Sequence, residues 1–284
     1  MPSTIGNPLS WGARNIGAGA RNLGQAAAHA GGDGVRALPE LRTLTLGDLK
    51  AALRAGLADF LAFRSDVMMA CLFYPVIGAL LIWLSTHQGA LPLAFPLLSG
   101  FALIGPVAAL GLYELSRRRA AGEPASWADM ANVVRAPGFG AIVLLGAGLA
   151  VLLVLWLLAA WVLHGLTMGG GYDGVAQFTS QVLTTRGGWA MILIGIPMGF
   201  GFALVALAVS VVSFPLLLDR DVGLPRAVVT SVTLTRKNPR TVLVWGAIVA
   251  GGLILGALPL LLGLTVTLPV LGHATWHLYR RAVV

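Results

Sequence analysis

The sequence predicts an all-α fold: a polytopic membrane helical bundle of six transmembrane helices, set as three hairpins that each follow an interfacial amphipathic helix. Three observations carry this expectation. The residues are 57% hydrophobic and only 11% charged, against roughly a quarter charged in soluble domains. The mean hydropathy is +0.84, and the apolar residues come in long blocks that a water-soluble core does not need. The basic residues, in turn, fall almost entirely between alternate pairs of blocks.

The first 40 residues are rich in Gly, Ala and Asn, with Arg14, Arg21 and Arg36 among them. No apolar core of the secretory-signal kind appears there. Such a segment buries too little surface to order itself, so 1–40 is expected to be a disordered cytoplasmic tail and 41–284 a six-span membrane domain. Over 46–64, Leu46, Leu49, Leu53, Leu57, Phe60 and Leu61 recur at helical spacing, with Asp48, Lys50, Arg54 and Asp59 elsewhere. That pattern predicts an amphipathic helix lying on the membrane surface.

Four apolar blocks follow, at 66–84, 91–113, 138–163 and 189–218, none with a charge in its middle. Each is long enough to cross a hydrocarbon core of ~30 Å at ~1.5 Å per residue. Backbone groups in lipid must be satisfied internally, which makes these blocks helices. The last block, 241–279, is too long for one span and long enough for two. Gly256, Pro259, Gly263 and Pro269 offer breaks, with a tight hairpin expected near 259–263.

Charge decides between five spans and six. With six spans and both termini cytoplasmic, every one of the 19 basic residues except Arg186 lies inside. A five-span chain would put Arg280 and Arg281 outside, so the positive-inside rule favours six. The same distribution explains the net charge of +8 without nucleic acid, and no nucleic-acid partner is expected. The lipid bilayer is the expected partner, with Arg117, Arg118, Arg119, Arg280 and Arg281 at anionic headgroups.

The chain also repeats itself. In PVAALGLYELSRR (106–118) and PVLGHATWHLYRR (269–281) the Pro, an interfacial aromatic and the double Arg fall in register, and PLLLDR (215–220) ends more loosely alike. A helix over 124–135, stopped by Ala136-Pro137, and one over 225–237, stopped by Asn238-Pro239, would precede the second and third hairpins as 46–64 precedes the first. The repeats are then 45–119, 123–222 and 224–284.

Few residues suggest chemistry. His273 and His277 lie one turn apart on one helical face, a spacing that suits Zn, Cu or haem iron. They also sit beside Trp276, Tyr279, Arg280 and Arg281, where amphipathic rings collect at an interface, and no Glu follows the first His as a metalloprotease helix requires. No metal and no cofactor are expected. In the repeat register Glu114, Asp219 and His277 occupy comparable inner ends, and with His273 they form a candidate polar cluster on the cytoplasmic side. The alternative is that each pairs separately with its neighbour: Arg117, Arg220 and Arg280. Gly195 with Gly199, and Gly252 with Gly256, form two GxxxG patterns suited to packing within the bundle, and they leave the oligomeric state undecided. There is no Gly-x-Ser-x-Gly, and no Lys-Ser/Thr follows the glycines at 169–171. No catalytic residue is assigned and no enzyme is expected. Cys71, the one cysteine, sits in the first apolar block as a small buried residue.

LGDLKAALRAGLADF (46–60), GLYELSRR (111–118), PLLLDRDV (215–222) and LGHATWHLYR (271–280) resemble an uncharacterised bacterial family of predicted integral membrane proteins, a domain of unknown function. Some of its members are labelled cytochrome c oxidase subunit I. The resemblance runs over residues 40–281, and GHATWH is its most specific part. It implies a bacterial inner-membrane protein and no established activity. The oxidase label would imply haem and copper ligands, for which the five histidines, His29, His87, His164, His273 and His277, are too few and too scattered. The expected function is a non-enzymatic structural or accessory protein that binds lipid or a membrane complex, a respiratory complex included. One alternative is a transporter or channel for a small solute, against which the lack of ionisable groups in mid-span argues. The other is a metal- or haem-binding oxidase-associated component using His273 and His277.

Overall fold

A computed structural model describes residues 39–87 and 90–284. The expected tail over 1–40, with His29, Arg14, Arg21 and Arg36, lies outside the described residues except for Pro39 and Glu40. The described residues form twelve α-helices and no strands. In order these are α1 (Leu46–Cys71), α2 (Phe73–His87), α3 (Leu91–Phe101), α4 (Gly105–Ala108), α5 (Leu110–Ala120), α6 (Phe139–Thr167), α7 (Val175–Thr184), α8 (Arg186–Ser210), α9 (Ser213–Asp219), α10 (Leu224–Lys237), α11 (Pro239–Ala257) and α12 (Leu264–Ala282). Two 3₁₀ segments, Ala102–Ile104 and Trp127–Arg135, intervene.

The expected six spans do not all emerge as long apolar helices. Among the described residues three stretches are long and apolar enough to cross a membrane: Phe139–Thr167, Arg186–Asp219 and Pro239–Ala257. Phe73–His87 and Leu91–Gly100 are apolar but shorter. The first expected span is divided, because α1 runs on to Cys71 and a turn at Leu72 separates it from α2. The second is cut into α3, a 3₁₀ turn, α4 and α5, with Pro96 inside α3 and Pro106 in the first turn of α4. Pro106 lacks an N–H and crowds the turn before it, which accounts for the 3₁₀ turn at 102–104, while α3 runs on past Pro96. The sixth expected span, α12, carries His273, His277, Arg280 and Arg281, and its inner half is buried in protein.

Other boundaries have local causes. Thr45 and Asp48 cap α1 reciprocally, the Thr45 N–H and O–H donating to the Asp48 carboxylate and the Asp48 N–H to Thr45 Oγ1. Asp129 likewise takes the Ser126 N–H and O–H at the head of Trp127–Arg135, which is 3₁₀ where an α-helix was expected over 124–135. Between α8 and α9 the helix breaks at Val211 and Val212. The Ser231 hydroxyl on α10 donates to the Ala208 carbonyl and accepts from the Val212 N–H. The α11–α12 turn spans 258–263, with Leu260 and Leu261 at positive φ.

The buried core is densest around α9 and α12 and continues along α6 as far as Trp156 and Ala160. Phe214, Leu216 and Leu217 of α9, Trp245 of α11, and Trp276, Leu278 and Tyr279 of α12 are all buried in it. The α1–α12 packing is the most extensive between any two helices, and the two run antiparallel. Its face on α1 is not the expected leucine stripe: Leu49, Ala52, Gly56, Asp59 and Phe60 are buried, while Leu46, Leu57 and Leu61 are exposed. Asp59, expected on the polar side, faces the protein. Gly56 sets the helix separation, since a Cβ there would stand 2.5 Å from the Ala274 nitrogen and 2.7 Å from its Cα. Gly56→Val is expected to lower stability by about 1–3 kcal/mol through overpacking. Gly148→Ala, where a Cβ meets nothing within 4 Å, is expected to leave it unchanged or raise it. Thermal unfolding of the purified proteins in one detergent checks both.

Candidate functional site

Three helices bring one polar cluster together inside the core. Asp59 comes from α1, Ser116 and Arg119 from α5, and His273 and His277 from α12. The Ser116 hydroxyl donates to Asp59 Oδ2 at 2.6 Å and stands 2.8 Å from His273 Nδ1. A hydroxyl has one proton, so this geometry makes His273 the donor at Nδ1. His277 Nε2 lies 2.8 Å from the same Oδ2, which as a carboxylate oxygen accepts its proton. Arg119 donates to Asp59 Oδ1 at 3.0 Å and to the Ala58 carbonyl at 2.8 Å, with its guanidinium 5.9 Å from the Phe63 ring. The result is a continuous chain from His273 through Ser116 to Asp59, closed from the other side by His277 and Arg119.

Asp59, Ser116 and His273 are buried, Ser116 and His273 completely so. Burial by itself would raise the Asp59 pKa, but hydrogen bonds from His277 and Ser116 and the charges nearby outweigh it and hold the carboxyl below the usual aspartate range. His273 Nε2, buried, has no hydrogen-bond partner among the described residues. Ser116 is spent on Asp59 and shut from solvent, so the Ser, His and Asp here act as a tie between helices.

The residues predicted from sequence fall into three separate pairings. The inner segments that carry them, α5, α9 and α12, do touch one another pairwise. Glu114, buried, accepts two hydrogen bonds of 2.7 Å from Arg117, which raise the Arg117 pKa despite its partial burial. Asp219 accepts from the Tyr279 hydroxyl at 2.6 Å and from Arg280 at 3.3 Å, with Arg220 at 3.7 Å. His273 and His277 join Asp59, not Glu114 or Asp219. Of the five arginines assigned to lipid headgroups, each reaches a carboxylate of the chain: Arg117 that of Glu114, Arg118 those of Glu123 and Asp129, Arg119 that of Asp59, Arg280 that of Asp219 and Arg281 that of Asp48. Among the described residues no three His, Cys, Asp or Glu side chains are arranged to hold a metal ion.

The glycine patterns pack internally. A Cβ on Gly199 would meet the Trp156 ring at 2.9 Å, and one on Gly195 would meet Leu163 at 3.2 Å, both on α6. One on Gly252 would meet Leu271 of α12 at 3.0 Å, and one on Gly256 would clash with Thr267.

Asn238 is a group that sequence reasoning took only for a helix stop. It is buried, accepts the Leu44 N–H at 2.7 Å and donates to the Arg42 carbonyl at 3.2 Å, while Thr241 donates to the Leu44 carbonyl. The chain entering α1 is thereby strapped to the α10–α11 corner, and the Arg42 N–H joins it to the Ala282 carbonyl at the end of α12.

Wide apolar faces lie on α6, α8 and α11, where Trp161, Leu193, Phe200, Ile254 and Leu255 are exposed. Residues 94–219 match a family described as predicted integral membrane protein (DUF2189). The chain is an integral membrane protein. The match covers a little under half of it, from α3 to the end of α9, and takes in GLYELSRR (111–118) and most of PLLLDRDV, while LGDLKAALRAGLADF and LGHATWHLYR lie outside. A comparison with curated proteins finds no match, and a comparison with solved structures finds none.

Asp59→Asn is expected to cost about 2–3 kcal/mol, the worth of hydrogen bonds to a buried charged acceptor. Its pH signature has a definite sign. A carboxyl held below its unfolded value of about 3.9 contributes stability that is fully present above that pH and is lost as pH falls through the folded pKa. The wild type should therefore lose more stability on acidification below about pH 4 than Asp59→Asn does, and unfolding curves across that range measure the difference.

Proposed function

We propose that this is a non-enzymatic structural or accessory protein of a bacterial inner membrane, which binds lipid or a membrane complex through its apolar helices. One contrast carries the reading. At one end the carboxylates of Asp59, Glu114 and Asp219 are paired with Ser116, His277, Tyr279 and arginines, and they hold α1, α5, α9 and α12 in a closed hub. Beyond it, only 28% of the most apolar window of α6, 6% of that of α8–α9 and 17% of that of α11 is buried within the protein. Apolar faces of that extent need lipid or partner helices to cover them.

A six-span topology with both termini cytoplasmic fits this reading. The shorter apolar helices α2 and α3 pack as a hairpin, as do α11 and α12, and Arg117 and Arg119 of α5, Arg220 after α9, and Arg280 and Arg281 of α12 all pair with carboxylates at the hub end. Three repeats of an entry segment followed by a hairpin would bring their inner ends, α5, α9 and α12, to one place.

Affinity purification of the full chain from native membranes in mild detergent, with mass spectrometry and a visible spectrum on the same sample, tests the function. The expected result is a colourless protein that carries tightly held phospholipid or a second membrane complex, a respiratory one among them. A Soret band that vanishes in His273→Ala would overturn the reading in favour of a haem protein.

A further inference from the structure

Along one side of the protein α11 and α12 do not close on each other. Gly251 and Leu255 of α11 and Val266, Val270 and Leu271 of α12 line an open apolar groove of about 520 Å³. Gly251 makes the hollow, because a Cβ built there meets no atom within 4 Å, whereas its neighbour Gly252 rests on Leu271.

The groove has a charged end. Residues 240, 244, 247, 251 and 255 follow one another at steps of three and four, so Arg240 in the first turn of α11 stands on the groove's own stripe. The groove begins seven residues further on, about 10 Å at the helical rise. A phospholipid acyl chain crosses half of a core of ~30 Å, which carries it from the level of Arg240 into the hollow. Arg236, in the last turn of α10, is exposed beside the same corner. Neither Arg236 nor Arg240 has an ion-pair partner among the described residues. That sets them apart from the arginines of α5 and α12, whose charge is already answered within the chain.

We propose that the α11–α12 groove and its basic end form a binding site for one anionic phospholipid, with the phosphate on Arg236 and Arg240 and an acyl chain against Gly251. Guanidinium groups suit phosphate through paired, charge-assisted hydrogen bonds, and apart from Thr267 the hollow is lined by apolar side chains and glycine, which suit an acyl chain. The site rests on the lipid-binding part of the proposed function and gives it a place and a headgroup charge.

The test uses the purified full chain, delipidated in mild detergent and titrated with phosphatidylglycerol or phosphatidylcholine, with bound lipid counted by native mass spectrometry. The wild type should retain one phosphatidylglycerol about thirtyfold more tightly than phosphatidylcholine, on the order of 1 kcal/mol for each of the two basic residues. Arg236→Gln with Arg240→Gln should abolish that preference, and Gly251→Leu should weaken both lipids. A thermal melt confirms that each variant is folded, and the paired arginine change, at exposed positions, keeps the test open if Gly251→Leu misfolds. Equal retention of the two lipids by the wild type, or retention unchanged in the variants, places lipid elsewhere and overturns the groove while sparing the broader reading. Retention of neither lipid, with a second complex bound, overturns the groove and confines that reading to protein partners.

Discussion

The carboxylate of Asp59 is the group on which the closed end of this protein depends. A charge buried among apolar side chains is tolerated only with its hydrogen bonds filled, and Asp59 fills them from two other helices: Ser116 and Arg119 on α5, His277 on α12. None of the three helices can shift without leaving the carboxylate, or one of its donors, without a partner. Glycine makes the arrangement sterically possible. Gly56 lets α1 approach the backbone of α12 at Ala274, and Gly272 lets α12 approach Leu112 of α5.

The partners are distant in sequence, at 59, 116, 273 and 277, so the tie joins the two ends of the chain through its middle. The family match runs from 94 to 219, and it includes Ser116 and Arg119 but neither Asp59 nor the histidines. The hub is therefore where the matched segment is clasped by what precedes and follows it. The strap of residues 41–45, held by Asn238, Thr241 and the end of α12, closes the same region from outside. Away from the hub α6 still packs on α3 and α8, and α11 on α12, but their outer apolar faces are left to the membrane.

The membrane-spanning character is legible in the sequence because long uncharged apolar blocks have few physical solutions other than helices in lipid. The hairpin at 258–263 is legible from Pro259 and Gly263. Hydropathy does not distinguish burial in protein from burial in lipid, however, so the inner half of α12 reads as a span when it is packed on α1, and Pro106 interrupts a helix over 91–113 that composition alone would leave whole. Asp59 is misplaced for a related reason. An amphipathic pattern assigns a lone carboxylate to the wet side, whereas Ala52 and Gly56, small residues one turn apart and one turn before it, mark the side of close helix approach. Ser116, beside three arginines, carries no local signal of its buried role. The segments that carry Glu114, Asp219 and His277 do meet, but their side chains pair separately, and the carboxylate that takes His277 is Asp59 of α1, which the candidate cluster left out.

The most direct test of the Asp59 tie is a double-mutant cycle between Asp59→Asn and His277→Gln, read by unfolding of the purified protein in one detergent. Residues joined in one hydrogen-bond network should show a coupling of about 0.5–3 kcal/mol, with the double variant less destabilised than the sum of the singles. Strict additivity would contradict the account, because it would mean that α1 and α12 are held by apolar packing alone.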